Sequence, residues 1–172
     1  MRSRRSAERR SGGQAMTEFA LIAPVLLLIL FAIIQFGFLL GGQIGMTNGV
    51  REAARYASTI PNATAAQVKT ELQTRSLARA IPGYNIANFD AAASSVTYCA
   101  YQIPNSIVAA PSYSIKVRVT AVYKHALFVP LVSLVVDAID GTSDGKLKAT
   151  ATEEMRVENP RLTTDGGLPA CP

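Results

Sequence analysis

Between Phe19 and Leu40 the chain reads FALIAPVLLLILFAIIQFGFLL, twenty-two residues with no charge and with Gln35 as the single strongly polar side chain. At about 1.5 Å rise per residue this makes a helix about 33 Å long, which matches the roughly 30 Å hydrocarbon core of a bilayer. A domain cut from 172 residues seldom shields a helix that is apolar on every face, so the segment reads as a membrane span and not as a core helix. Pro24 does not argue against this, because a proline in a membrane helix is tolerated where local adjustments satisfy the freed carbonyl.

The charge balance then fixes a direction. The formal net charge is +5, but Arg2, Arg4, Arg5, Arg9 and Arg10, offset by Glu8, place +4 of it in residues 1–13. The rest of the chain holds 12 basic and 11 acidic residues, so the protein has a basic tip and not a basic body. A nucleic-acid binder spreads Lys and Arg over a folded face, often with aromatics between them, and no such spread follows residue 13. Arginines precede the apolar run and no Lys or Arg follows it until Arg51, so the positive-inside rule places the N-terminus in the cytoplasm and residues from about 41 outside. A cleaved secretory signal does not fit, since its apolar stretch is shorter, about 7–15 residues, and ends at a small-x-small site.

Both cysteines, Cys99 and Cys171, fall on the outer side. In an oxidising compartment an even pair reads as one disulfide closing a long loop, with two unrelated thiols as the alternative. Neither has a CxxC partner or neighbouring histidines, so metal binding and redox catalysis are not expected.

The sharpest chemistry lies where the basic tip meets the apolar run, at Gly13-Gln14-Ala15-Met16-Thr17-Glu18-Phe19. A carboxylate at the mouth of an apolar helix costs free energy to desolvate unless it finds a partner, so Glu18 either complements the helix dipole or has a function. A Gly, four residues, then Glu and an aromatic resembles the cleavage motif of prepilins. With VREAARYAS at 50–58 and late strands ending in ATATEEMRVE at 149–158, the chain resembles, in order and over its length, the TadE-like minor pilins or pseudopilins of the tight-adherence (Flp, type IVb) pilus system. Phe19 in place of the usual Tyr of major Flp pilins, and an outer part of over a hundred residues, favour the minor component.

That resemblance implies a prepilin peptidase cutting after Gly13, with Gln14 as the new N-terminus, Glu18 as the fifth mature residue, and Glu18 and Phe19 serving recognition and assembly. It implies as partners that peptidase, the major pilin and other pilus assembly proteins in a bacterial inner membrane. Glycine at the cut suits a protease that binds extended backbone, and a new α-ammonium on Gln14 would offset the burial of Glu18.

Beyond the span, Gly41, Gly42, Gly45 and Gly49 interrupt a helical stretch that continues to Ser58, as a hinge or as a close-packing surface. Arg51, Glu52 and Arg55 read as a solvated face, with Tyr56 packing on the domain. Thr64-Ala65-Ala66-Gln67 has the spacing of a capping box opening a helix to about Ala80, with Val68 and Leu72 inward. Residues 95–103, 113–124 and 146–157 show the period of two expected of half-buried antiparallel strands. In the second, Ile115, Val117, Val119, Ala121 and Tyr123 point inward and Val122 breaks the pattern. The run ALFVPLVSLVV at 126–136 is too short to cross a bilayer and is expected to pack on the core, or else to form an exposed patch. Asp137, Asp140 and Asp144 lack the ordered ligand series of a calcium loop and read as a turn.

The expected fold is therefore α+β. Residues 1–13 form a cytoplasmic leader, and 14–58 a long helix whose first part, 19–40, crosses the membrane. Residues 59–172 form an outer domain of about one further helix and about three antiparallel strands. The function expected is structural, with no catalytic residue, metal, cofactor, small-molecule substrate or nucleic acid. His125, the single histidine, has no partner motif for catalysis. The competing reading is an uncleaved single-pass envelope anchor or sensor with an outer interaction domain.

Overall fold

The computed structural model describes residues 4–60, 62–103, 112–129, 132–133, 137–138, 141, 143–158 and 166–171, with backbone only for 4–12. One helix, α1 (Arg4–Thr59), runs without interruption for 56 residues, with Pro24 inside it. At about 1.5 Å per residue it is about 84 Å long. Its two halves differ in what they touch. Most of the side chains from Phe19 to Leu40 are exposed, whereas from Gly42 onward one stripe is buried: Met46, Val50, Ala53, Ala54 and Ala57 are at most 1% exposed. Their spacing of three and four residues puts them on one face of the helix.

The four glycines of the stretch do not interrupt α1. Gly42, Gly45 and Gly49 lie on the buried side, against His125, the Ala80–Ile81 backbone and Leu77 respectively, while Gly41 faces open space. At three of the four positions the missing Cβ is what lets the rest of the domain close onto the helix.

The second helical segment opens as its sequence predicts. The Gln67 N–H donates to Thr64 Oγ1 at 3.3 Å and the Thr64 N–H to Gln67 Oε1 at 2.9 Å, a complete capping box. It is not one regular helix, however: α2 (Ala65–Glu71) passes into a π-helical turn (Leu72–Ser76) before α3 (Leu77–Ala80). The wider turn lets the consecutive Ser76 and Leu77 both be buried, along with Leu72 and Val68.

Three strands follow, β1 (Ser95–Gln102), β2 (Tyr113–Ala126) and β3 (Lys146–Arg156), in an antiparallel sheet of order β1-β2-β3. One face carries Val117, Val119, Ala121, Tyr123 and Ala151 into the core with α1, α2 and α3; Ile115, placed in the same phase, is only half-buried. The other face is polar, with Arg118 paired across the strands to Glu154 and Thr120 3.0 Å from Thr152. The molecule is thus α+β: helices on one face of a small antiparallel sheet, built onto the C-terminal half of a long helix whose first half is apolar. Val122, out of phase, is nonetheless buried; its N–H donates to Ser94 Oγ (2.9 Å) and its carbonyl accepts from Asp90 N–H (2.9 Å), so residues 90–94 close the edge beyond β1.

Three expectations need correction or completion. The Arg51–Glu52–Arg55 face is not merely solvated. Arg51 Nε reaches Glu153 Oε1 at 3.5 Å and Arg55 Nε reaches Glu52 Oε2 at 3.4 Å, though such exposed pairs contribute little stability. The run from Ala126 does not begin by packing on the core. Phe128 is 72% exposed, because β2 continues to His125 and Ala126 and emerges beside the exposed apolar half of α1. Pro130, Leu131 and residues 134–136 of that run lie outside the described residues, as does Asp140. Asp137 and Asp144 serve the turn before β3, their Oδ1 atoms accepting from the N–H of Gly145 (3.2 Å) and Lys146 (3.0 Å).

Candidate functional site: the head of the helix and its joint with the outer domain

Gly13, Gln14, Glu18 and Phe19 all lie on the exposed first part of α1. Gln14 Nε2 donates to Glu18 Oε1 at 3.0 Å, one helical turn apart, and Thr17 Oγ1 donates to the Gln14 carbonyl at 2.8 Å. The Glu18 carboxylate and residue 14 therefore share one face of the helix, with Cβ atoms about 5–6 Å apart. A Cβ on Gly13 would meet nothing within 4 Å. Packing within this chain therefore does not call for glycine at this position.

A second arrangement, not anticipated in the sequence, joins the helix to the sheet. Gln35 is 1% exposed although it lies inside the apolar run, and its Oε1 accepts the Phe128 N–H at 2.7 Å. Three strand residues further up, the His125 ring sits against Gly42, so close that a Cβ there would be 2.7 and 2.9 Å from the two ring nitrogens. His125 packs edge-on to Tyr123 (centroids 4.9 Å apart), which stacks on Tyr84 (5.3 Å). Tyr84 Oη donates to the Gln73 carbonyl at 2.7 Å and Tyr123 Oη accepts from the Asn85 N–H at 2.9 Å. Burial, and then the neighbouring Tyr123, push the Tyr84 hydroxyl up to about 12. Gln35, Asn88, Tyr123, His125 and Phe128 surround a cavity of about 130 Å³. The available signal was Gln35 itself, since a lone amide in an otherwise apolar span needs a partner; the identity of the partner, ninety-three residues away, was not legible.

The position of His125 has a measurable consequence. Burial lowers its pKa from the ordinary value of 6.5. Below about pH 6.5 the unfolded chain therefore binds a proton that the folded domain resists, and stability falls as the pH drops, until the lower folded value is reached. Urea unfolding at pH 7.5 and 5.5 is expected to show a larger loss in the wild type than in His125→Gln. An equal loss in both proteins would refute this role for His125.

The outer end of the sheet is closed differently. Cys99 on β1 and Cys171 are joined by a disulfide, with Cα atoms 5.0 Å apart. Beside it the Ala100 N–H donates to the Pro169 carbonyl (2.9 Å) and the Cys171 N–H to the Ala100 carbonyl (3.0 Å), adding a one-residue parallel bridge at Ala170 to the free edge of β1.

Among curated proteins and among solved structures, no match to this chain is found. The family comparison does give one, and it covers the head of the helix, the apolar run and the glycine-rich stretch, leaving the sheet outside it. Residues 13–55 match the model of the TadE-like protein family, so it is over this part of its long helix, from Gly13 onward, that the chain is similar to TadE-like proteins.

Proposed function

We propose that the protein is a minor pilin or pseudopilin of a tight-adherence (Flp, type IVb) pilus, made as a single-pass inner-membrane precursor and cleaved after Gly13 by a prepilin peptidase. The TadE-like match supports the coarser part of this reading, a structural component associated with that pilus system and anchored by one apolar helix. The observation that carries the finer part is the junction Gly13-Gln14-Ala15-Met16-Thr17-Glu18-Phe19 at the head of that helix. Residues 1–13 are then a cytoplasmic leader, 19–40 the span, and residues from 59 the extracytoplasmic domain. Prepilin peptidase, the major pilin and other assembly proteins are its partners; its work is structural and not enzymatic.

The helix geometry supports an assembly role for Glu18. Its side chain already points back to residue 14. Once the Gly13–Gln14 bond is hydrolysed, the α-ammonium of Gln14, from the same or a neighbouring subunit, is the cation that makes a carboxylate tolerable in an apolar bundle. In the oxidising compartment this topology gives the domain, Cys99 and Cys171 are disulfide-bonded.

Mass spectrometry of the protein from cells with and without the peptidase tests the proposal. Loss of residues 1–13 is expected only with the enzyme. Gly13→Leu should retain them, and Glu18→Ala should be inserted but fail to enter the sheared pilus fraction. An unchanged N-terminus in both strains would leave the uncleaved anchor as the correct reading.

A further inference from the structure

The contacts between α1 and the sheet set a common scale of height. Gln35 meets Phe128, Gly42 meets His125, Gln43 Nε2 meets the Thr150 carbonyl (3.5 Å) and Arg51 meets Glu153. Seven helix residues, about 10 Å, correspond to three strand residues, also about 10 Å, so β2 descends alongside the helix toward its apolar half. Lys146, opposite Ala126, then stands near the level of Leu40, and Lys124, opposite Lys148, a little above it. Phe128 lies lower, about five helix residues or 7 Å inside the apolar run.

The composition changes at the same height. Above it, Lys124 pairs with Asp144 (3.5 Å) and Lys146 Nζ donates to Asn88 Oδ1 (2.9 Å). Below it, the described residues that continue β2, Leu127, Phe128 and Val129, carry no charge. The exposed Phe128 ring lies edge-on to the exposed Phe38 ring at 6.1 Å. With Phe31, Ile34, Gln35 and Val129 these rings line a groove of about 290 Å³.

The backbone is also prepared for an apolar medium, where each unsatisfied polar group costs several kcal/mol. The Leu127 N–H donates to the Gly145 carbonyl (3.0 Å), the Phe128 N–H to Gln35, and the Val129 carbonyl accepts from both Val132 and Ser133 (3.0 Å each).

We propose that the Phe128–Val129 tip of the outer domain is embedded in the outer leaflet of the same bilayer that α1 crosses, with lipid acyl chains filling the groove between the tip and the helix. The occupant follows from continuity: Ile33, Phe36 and Leu40, around the helix at these heights, are exposed in the same way, and whatever solvates them reaches Phe128. A depth of about 5–10 Å is that of interfacial apolar anchors. The domain is thus held at two points, by its helix and by its tip. This rests on the reading of 19–40 as a membrane span.

The chain has no tryptophan, so single-tryptophan variants report their own surroundings. Full-length Phe128→Trp, with Ile29→Trp in the span and Thr97→Trp on the polar sheet face as references, would be reconstituted into phosphatidylcholine vesicles with brominated acyl chains. Phe128→Trp should lose most of its emission, as Ile29→Trp does, while Thr97→Trp keeps its own; Val129→Trp gives an independent second reading. Unquenched emission from Phe128→Trp, with Ile29→Trp quenched, overturns the proposal and leaves the span intact. So does emission from Phe128→Trp that is blue-shifted but unquenched and dependent on protein concentration, which would make a second copy the occupant. If Ile29→Trp is also unquenched, the span and the proposal fail together.

Discussion

Gly45→Leu is expected to destabilise the globular domain by about 3 kcal/mol or more, at or beyond the upper end of the usual overpacking cost. A Cβ at this position would stand 2.8 Å from the Ala80 carbonyl carbon and 3.0 Å from the Ile81 Cα, and nearest of all to the Ala80 carbonyl oxygen. These are backbone atoms and cannot rotate away. Relief requires α3 to move off α1, which uncovers Leu77 and Met46, both fully buried. Gly41→Leu is the matched control: nothing lies within 4 Å of its Cβ, and helix propensity alone would stabilise it by up to about 1 kcal/mol. Urea unfolding followed by tyrosine fluorescence separates the two variants. Equal midpoints for Gly45→Leu and the wild type would mean that α3 does not pack on α1 as described.

The second large effect is expected from Cys171→Ser. Closure of a loop with a sequence separation of 72 residues restricts the unfolded chain by about 4 kcal/mol in the chain-entropy account, within the 2–5 kcal/mol typical of native disulfides. Loss of the bond also removes the covalent tie beside the Ala100–Pro169 and Cys171–Ala100 hydrogen bonds that seat the final segment on β1. Cys99→Ser should cost the same, and the double variant no more than either single one, because all three remove one bond. Two titratable thiols in the native wild-type protein, or additive losses, would contradict this.

What was legible from the sequence was whatever local chemistry decides. Thr64 and Gln67 announce the capping box because both of its hydrogen bonds form within four residues. The alternation in 113–124 and 146–157 announces a one-sided sheet because a strand's side chains alternate whatever its partner. The span is legible for the same reason, since length and apolarity are properties of the segment alone. What escaped depends on distant partners. Whether Gly42, Gly45 and Gly49 mark a hinge or a contact turns on His125, Ala80 and Leu77, which no helical pattern identifies. The π-helical turn at Leu72–Ser76 is a tertiary adjustment inside a run that reads as ordinary helix. Glu153 sits in the inward phase of β3, and only the position of Arg51 explains it. Whether the start of the 126–136 run packs on the core or forms an exposed patch turns on Phe128 meeting Gln35 just beyond the end of β2, a contact that the run itself does not encode. The motif around Gly13 is the opposite case: its signal is purely sequential, and the fold adds only the shared face of Gln14 and Glu18.

The uninterrupted helix has a mechanical consequence. Met46, Val50 and Ala57, which anchor the sheet, and the exposed apolar residues from Phe19 to Leu40 belong to one rod, an unbroken helix that joins them directly. Axial load on the apolar half is therefore delivered directly to the centre of the globular part, and the two travel together. An axial draw on the rod would meet the buried core contacts of Met46, Val50 and Ala57 beyond Gly42, which would ride along unstressed, while the Gln35–Phe128 hydrogen bond and the Phe38–Phe128 ring contact lie on the apolar half itself.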